Sequence, residues 1–258
     1  MESEVLYSIS NRIATITMNR PESLNAMNDR LVEGLLVALT KAAEDAEVGV
    51  IVLTGNGKAF CAGGDLAFLN NLQGVALKKS FIAKVGKVAK MITEIPKPVL
   101  AYVNGVAAGA GFNLMLACDL SYASHKARFA QSFAKVGLVP DCGGMYFLPR
   151  TIGLHKAKAL MFTAEMLDAA TAEKLGLVND VVEDEVLRET VYNVASKLAA
   201  GPPLAIGLMK KYLNNTALTL EEVLAIEETT QPLLMDTEDC KEGIAAFYEK
   251  REPQFNGE

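Results

Sequence analysis

Hydrophobic and polar positions along the chain predict strands and helices in alternation. Residues 4–18 alternate and are rich in β-branched side chains, which predicts a hairpin at the start. From Asn28 onward apolar residues recur at helical spacing, with Asn28 or Asp29 at the position of a cap. Short apolar runs that end at turn-forming or polar residues predict buried strands. These runs lie at 49–55, 98–105, 119–124 and 177–182.

Helical periodicity separates these strands and then dominates the rest of the chain. Between the strands it predicts helices at 80–94 and 109–117. After about residue 184 no strand pattern remains, and helices are predicted at 184–199, 203–214, 219–235 and 238–250. The sequence therefore predicts an α/β core over residues 1–195, followed by an all-helical region over residues 196–258.

Composition and charge narrow the choice of partners. Half of the 258 residues are hydrophobic, which is enough for a large core, and the net charge is −6. An acidic balance argues against nucleic acid or an anionic membrane as the main partner, because both require a basic surface. No apolar run reaches the roughly 18–20 residues that a membrane span needs. Since residues 1–20 also lack a secretory pattern, we expect a cytoplasmic protein.

The usual motifs for metals, nucleotides and nucleophiles are missing. The four cysteines, Cys61, Cys118, Cys142 and Cys240, are widely spaced, which predicts reduced thiols and no metal site. The segment GAGFNL has Leu114 where a dinucleotide motif has its third glycine. The sequence contains neither a GK[ST] phosphate loop nor a GxSxG nucleophile motif. We therefore expect neither a metal nor a cofactor.

Two glycine-rich stretches, KAFCAGGDL (58–66) and NGVAAGAGFNL (104–114), favour close approach of the main chain to a ligand. A turn at Gly64 and a helix start at Ala110 could direct two backbone N–H groups at one oxygen, which is an oxyanion hole. Small residues at this spacing also suit close packing of a helix on a strand. The spacing alone leaves both interpretations open.

Asp141 is the acidic residue of the run GLVPDCGG (137–144), which is otherwise apolar or glycine-rich. Burial among apolar neighbours would raise the pKa of its carboxyl and make it a base near neutral pH. The competing interpretation is a turn cap after Pro140. From the sequence pattern alone the two interpretations are equally good.

Four long segments together resemble the enoyl-CoA hydratase/isomerase, or crotonase, superfamily. They are MNRPESLNAMN (18–28), KAFCAGGDL (58–66), NGVAAGAGFNLMLACDLSYAS (104–124) and FAQSFAKVGLVPDCGGMYFLPRTIG (129–153). The resemblance implies a ββα-superhelical core with a C-terminal helical trimerisation region. It implies an acyl-CoA thioester as substrate, with coenzyme A supplied by the substrate itself. It also implies self-association as a homotrimer or a dimer of trimers.

The same resemblance assigns roles to individual residues. It places the two oxyanion donors on the backbone N–H groups of Gly64 and Ala110. Contacts to coenzyme A are implied for Ala26, Ala62, Asp65, Leu66, Phe247 and Lys250, the last two towards a coenzyme A that can belong to a neighbouring subunit. Asp65 is also expected to cap the helix that follows it. Asn113 either hydrogen-bonds the substrate or fills space.

Two departures from the family pattern change the expected reaction. The glutamates that activate water in hydratases of the family correspond to Asn113 and Phe133 here, and neither side chain takes a proton near neutral pH. Asp141 remains as the acid/base, which favours an acyl-CoA isomerase, closest in motif to ring-epoxide phenylacetyl-CoA isomerases. The alternatives are an enoyl-CoA hydratase or other crotonase-type lyase, and a non-catalytic acyl-CoA-binding protein.

Overall fold

The computed structural model describes residues 3–215 and 217–258, and contains ten strands and eleven α-helices within them. The strands are β1 Val5–Ser10, β2 Ile13–Met18, β3 Val50–Gly55, β4 Ala59–Cys61, β5 Val99–Val103, β6 Val106–Ala108, β7 Leu120–Ser124, β8 Arg128–Ala130, β9 Met166–Asp168 and β10 Asp180–Val182. The helices are α1 Asp29–Glu44, α2 Leu66–Asn71, α3 Gly74–Glu94, α4 Ala110–Ala117, α5 Gly144–Ile152, α6 Leu154–Thr163, α7 Ala169–Lys174, α8 Asp184–Ala199, α9 Pro203–Leu213, α10 Leu220–Met235 and α11 Glu238–Glu249.

The strands form two sheets. The larger sheet has the order β1-β2-β3-β5-β7-β10, and its pairs are parallel except for the β1–β2 hairpin. The smaller sheet has the order β4-β6-β8-β9, with only β8 and β9 antiparallel. Along the chain, β3–β4, β5–β6 and β7–β8 each place one strand in the large sheet and the next in the small sheet, before a helix follows. This repeat is the predicted ββα superhelix.

The large sheet is buried on both faces, which explains its continuous apolar strands. Ile51 and Leu53 of β3 point into the main core with α1 and α3. Val50 and Val52 of the same strand pack against α8 on the opposite face. Because α8 covers this second face, residues 184–199 pack directly against the α/β core. The predicted boundary between residues 195 and 196 falls inside this helix, and the domain division stays a prediction.

The C-terminal helices are attached to the core through an ion pair. Lys210 of α9 is buried, and its Nζ lies 2.7 Å from Asp119 Oδ2 and donates to the Lys97 carbonyl at 2.9 Å. Asp119 immediately precedes β7, and its N–H donates to the Val99 carbonyl at 2.8 Å. Its carboxylate accepts a hydrogen bond from Val99 N, at the start of the neighbouring strand β5.

Most predicted elements are found, with changes at their ends. The hairpin, the strand at 49–55 and the helices of the C-terminal region lie where they were expected. Asn28 is the cap of α1, since its side chain accepts from Leu31 N. The helix predicted at 80–94 begins earlier, at Gly74, and the strand predicted at 177–182 is shorter, at Asp180–Val182. The small sheet was not predicted.

None of the helices within the described residues is long and apolar enough to cross a membrane.

Candidate active site

The first glycine turn connects β4 to α2. Gly63 has a φ of +99°, which favours glycine, and the chain then pairs with the segment around Met27. Met27 N donates to the Gly63 carbonyl at 2.7 Å, and Asp65 N donates to the Met27 carbonyl at 3.0 Å. Gly64 lies between these two bonds, and its own N–H donates no hydrogen bond within the described residues.

The second turn connects β6 to α4. Gly109 has a φ of +51°, and its N–H donates to the Ala130 carbonyl of β8 at 2.9 Å. Ala110 is the first residue of α4, so its N–H has no partner inside the helix, and it donates to no other described residue. Position 111 requires glycine, because a Cβ there would lie only 2.1 Å from the Cys61 carbonyl oxygen. The start of α4 is therefore fixed against the end of β4.

The two turns touch each other. A Cβ on Gly63 would lie 2.8 Å from the Ala108 carbonyl oxygen and 3.4 Å from Ala110 N. Two N–H groups that donate to no described residue, those of Gly64 and Ala110, thus lie on adjoining turns. This arrangement fits the predicted oxyanion hole, and it also contains the close helix–strand packing that was the competing interpretation. The two interpretations are compatible.

Asp141 lies on a tight turn that leads into α5. Cys142 and Gly143 both have left-handed backbone conformations, with φ of +50° and +78°. The Asp141 carbonyl accepts hydrogen bonds from Gly144 N at 2.9 Å and from Asn113 Nδ2 at 2.8 Å. The Asp141 side chain does not cap α5, which begins without a side-chain hydrogen bond, so the helix start gives no support to the turn-cap interpretation.

The Asp141 carboxyl is largely removed from water. Its Oδ1 is buried and has no hydrogen-bond partner among the described residues. Burial raises the pKa of Asp141 from 3.8 to about 6. Burial raises the pKa of the Cys61 thiol, three residues before Gly64, to about 12, and the negative charge of Asp141 adds a smaller rise. The predicted desolvation of the acid is found, and the acid is close enough to the first turn to act on it electrostatically.

The two positions that correspond to hydratase glutamates are occupied differently. Asn113 is completely buried in α4; its Nδ2 donates to the Asp141 carbonyl, and its Oδ1 accepts from Gln131 Nε2 at 2.6 Å. Phe133 is buried in the short 3-10 helix Ser132–Val136, and its ring would lie 3.7 Å from a Cβ placed on Gly109. The structure thus has a hydrogen-bonded amide and a buried apolar ring at the two positions where the resemblance implies hydratase acids.

The residues predicted to contact coenzyme A fall into two groups. Ala26 and Ala62 are half-buried on the paired segments beside the first turn, and Ala62 N donates to the Leu24 carbonyl at 2.9 Å. Leu66 follows at the start of α2 with 59% of its surface exposed. Asp65 caps α2 through a 3.1 Å bond from Phe68 N, which confirms the predicted cap.

The second group lies on α11. Phe247 is 79% exposed, and Lys250 follows the end of α11 in a left-handed conformation. The hydrogen bonds and ring contacts recorded for these two residues stay within the end of this helix. The described chain therefore brings together Ala26, Ala62, Asp65 and Leu66, but does not bring Phe247 or Lys250 to them.

Two polar residues at the site were not singled out from the sequence. Arg20 lies beside the first turn, where its Nη1 and Nη2 both lie 3.0 Å from Asp65 Oδ2 and where it also donates to the Ala26 carbonyl. The pairing with Arg20 and the backbone bonds at the helix start lower the pKa of Asp65, despite an opposing effect of burial. Gln131 is buried and holds Asn113, and its Oε1 has no partner among the described residues. Arg20 lies within the segment MNRPESLNAMN, which could have indicated it as a site residue. Gln131 is a single glutamine after a short strand, and no sequence pattern indicates its role.

No group of three or more His, Cys, Asp or Glu side chains within residues 3–215 and 217–258 is placed to hold a metal ion.

Comparison with known proteins agrees with this architecture. The family model described as "Enoyl-CoA hydratase/isomerase" matches residues 8–258. The chain is 38% identical over 257 residues to "1,2-epoxyphenylacetyl-CoA isomerase" of Escherichia coli (strain K12), covering 98% of each chain. It is 39% identical over 254 residues to "Probable enoyl-CoA hydratase" of Rhodobacter capsulatus, again covering 98% of each.

A solved structure supports the same assignment. The crystal structure of enoyl-CoA hydratase from Bacillus anthracis superimposes with a TM-score of 0.95 at 33% identity, covering 99% of this chain and 100% of that one. The relatives bear both isomerase and hydratase names, so the comparisons give the family and not the reaction. The chain belongs to the enoyl-CoA hydratase/isomerase family.

Proposed function

We propose that this protein is an acyl-CoA isomerase that either shifts a double bond or isomerises ring-epoxide phenylacetyl-CoA. The single observation on which the proposal depends is the state of Asp141: its Oδ1 is buried without a partner and its pKa is raised to about 6. A carboxyl with this pKa is largely ionised at pH 7, and it can both accept and return a proton.

In a double-bond shift the chemistry balances without any other reactant. Asp141 removes a proton from the carbon next to the thioester of a 3-enoyl substrate, and the electron pair of that C–H bond forms an enolate. The enolate oxygen accepts hydrogen bonds from Gly64 N–H and Ala110 N–H, which stabilise its charge. The protonated Asp141 then returns the proton two carbons further along the chain. The double bond has moved, and no atom has been gained or lost.

The occupants of the hydratase positions support isomerisation over hydration. Adding water by the usual route of the family needs acids at the positions of Asn113 and Phe133. Asn113 has no exposed surface, and the Phe133 ring lies against the second turn. Neither side chain can take a proton from a water molecule near neutral pH. The similarity to a protein named "1,2-epoxyphenylacetyl-CoA isomerase" supports the same choice.

The test compares three thioesters with one purified protein. The protein is given 3-enoyl-CoA, 2-enoyl-CoA and ring-epoxide phenylacetyl-CoA in parallel, and products are separated by chromatography. We expect isomerisation of the first or third substrate, and its loss in Asp141→Asn. Rapid hydration of 2-enoyl-CoA that persists in Asp141→Asn would overturn the proposal. Tight binding of coenzyme A thioesters without turnover of any of them would favour the non-catalytic alternative.

Hydration remains the second candidate, because a relative of 39% identity bears the name "Probable enoyl-CoA hydratase". The same assay separates the two reactions by mass, since hydration adds one water and isomerisation adds nothing.

We also infer that the chain assembles as a homotrimer or a dimer of trimers. The supporting observation is a set of large apolar side chains on the C-terminal helices that are more than half exposed in the single chain. They are Met209, Leu213, Leu220, Leu224, Leu233, Met235, Ile244 and Phe247. So much exposed apolar surface is typical of an interface. Light scattering after size exclusion is expected to give a mass of three or six chains, and a monomer at micromolar concentration would contradict the inference.

A further inference from the structure

We propose that Asn113 and Gln131 form an amide pair that positions Asp141 for proton transfer, and that Asn113 does not contact the substrate. The inference rests on the proposed function of Asp141, and it replaces the two roles considered for Asn113, a hydrogen bond to the substrate and the filling of space. Both residues are buried, and they lie on different elements, α4 and the segment after β8.

The hydrogen bonds allow only one orientation of each amide. The Asp141 carbonyl oxygen can only accept, so Asn113 must present its Nδ2 to it, at 2.8 Å. The Asn113 Oδ1 then points to Gln131, which must present its own Nε2, at 2.6 Å. Gln131 Oε1 is left buried without a partner among the described residues. An unpaired buried acceptor destabilises the folded state. We interpret this destabilisation as the consequence of fixing the orientation of the Asn113 amide.

Steric enclosure keeps Asn113 in this place. A Cβ on Gly144 would lie 2.3 Å from Asn113 Nδ2 and 2.5 Å from its Oδ1. The amide therefore lies flat against the glycine that opens α5, and it has no exposed surface. Reaching a thioester would require Asn113 to give up both hydrogen bonds and to leave this contact. A substrate contact by its side chain does not fit this arrangement.

The bond from Asn113 acts at the residue that bears the acid. Two donors, Asn113 Nδ2 and Gly144 N, meet at the carbonyl of Asp141 itself. They fix the main chain beside two successive left-handed residues, Cys142 and Gly143. The carboxyl has no partner at Oδ1 and interacts with the backbone N–H of its own residue, so its direction follows the main chain that this anchor fixes. Loss of the anchor should let the carboxyl turn towards water.

The experiment uses Asn113→Leu, which keeps the shape of the side chain and removes its hydrogen bonds. We expect kcat to fall by about 10- to 100-fold, because small misplacements of a reacting group cost this much. KM for the preferred thioester should stay within about threefold. The acid limb of the pH profile of kcat/KM should move down by about one pH unit as water reaches Asp141.

A second measurement does not depend on turnover. The protein is labelled with ¹³C at its aspartate carboxyls, and the Asp141 signal is assigned by its absence in Asp141→Asn. Its titration is followed in the wild type and in Asn113→Leu. If the wild type shows no isomerase activity dependent on Asp141, the proposed function fails, but this titration still tests whether Asn113 and Gln131 position the carboxyl.

The outcomes are distinct. A rise in KM with an unchanged carboxyl pKa would mean that Asn113 contacts the substrate, which overturns the inference. Unchanged kcat and unchanged titration would overturn it as well. Gln131→Leu removes only the orienting partner, so a smaller change of the same sign is expected, and this variant replaces Asn113→Leu if the latter does not fold. The control is Asn214→Leu, which removes an amide-to-carbonyl bond to Thr93 and should leave the carboxyl titration unchanged.

Discussion

Replacing Asp141 by asparagine is expected to abolish most of the activity and to stabilise the protein. The substitution keeps the size of the side chain and removes its ability to take a proton. Loss of a positioned acid/base typically costs about 10²- to 10⁴-fold in rate. Stability should change in the opposite direction, because the native state holds an ionised carboxyl in a place from which water is largely excluded.

The magnitude of the stability change follows from the pKa of Asp141. Burial raises it from 3.8 to about 6, and this difference corresponds to about 3 kcal/mol. Partial contact of the side chain with solvent reduces the expected gain in Asp141→Asn to about 1–2 kcal/mol. An acid whose pKa is raised on folding favours the native state when it is protonated. This favourable contribution is present below pH 3.8 and is lost as the pH rises to about 6.

Two assays test this expected pH dependence of stability and activity. Urea unfolding at equal protomer concentration should show Asp141→Asn more stable than the wild type above pH 6, with the difference shrinking towards pH 4. For the wild-type enzyme, kcat/KM should fall about tenfold between pH 7 and pH 5 as Asp141 becomes protonated.

Asp168→Asn provides the matched control. Asp168 is an exposed carboxylate that caps α7 through Thr171 N, and hydrogen bonds to Thr171 lower its pKa. Its replacement should leave activity unchanged and should not stabilise the protein at pH 7. The reasoning about Asp141 would be refuted if Asp141→Asn were no more stable than the wild type at pH 7.5. An activity loss of less than about tenfold would refute the proposed acid/base role.

Three further substitutions test the rest of the site and the attachment of the C-terminal helices. Ala110→Pro removes one oxyanion N–H at a helix position that tolerates proline, and turnover should fall by about 100- to 1000-fold with little loss of helix content by circular dichroism. Gly144→Ala places a Cβ 2.3 Å from Asn113 Nδ2 and should lower both the melting temperature and kcat. Lys210→Met leaves the largely buried carboxylate of Asp119 without its partner and should cost about 3 kcal/mol in urea unfolding.

Each of these substitutions has a control in the same chain. Leu220→Pro removes the corresponding first N–H of α10, far along the sequence from the site, and should leave turnover unchanged. Gly86→Ala has open space around the new Cβ within α3 and should stabilise the protein by about 0.5–1 kcal/mol. Lys90→Met removes an exposed pair with Glu94 and should change stability by less than about 0.5 kcal/mol. A Lys210→Met effect no larger than that of Lys90→Met would contradict the buried pairing.

The sequence was informative where side-chain pattern decides structure. Continuous apolar runs such as GVIVLTG identify strands of the large sheet, because α8 covers the face that the main core leaves free. The small sheet escaped prediction because β4, β6 and β8 have only three residues each, too few to show a period. Their pairing is fixed by the superhelical path of the chain and not by local sequence.

For the candidate site, too, local sequence patterns predicted some features, and long-range contacts determined the others. The burial of Asp141 could be predicted because an acid among apolar residues is unusual, and the close contacts of the glycine turns could be predicted because they require small residues. The bond from Asn113 to the Asp141 carbonyl joins residues 28 positions apart, so no local sequence pattern predicts it. Phe247 and Lys250 lie on the surface of α11, and a single chain does not reveal what they approach.

The placement of α4 has a consequence for how such a protein can change its chemistry. The helix start is fixed by main-chain contacts to β4 and β8, and the groups it offers to a ligand are peptide amides that most single amino-acid exchanges leave intact. Proton transfer, by contrast, depends on a side chain, the Asp141 carboxyl, while Asn113 and Phe133 occupy the two positions where acids are expected in hydratases of the family. Mutation can therefore add or remove acidic side chains around the proposed oxyanion hole without changing its backbone N–H groups. Under the proposed function, the type of reaction can then change in evolution while the backbone groups proposed to bind the thioester stay the same.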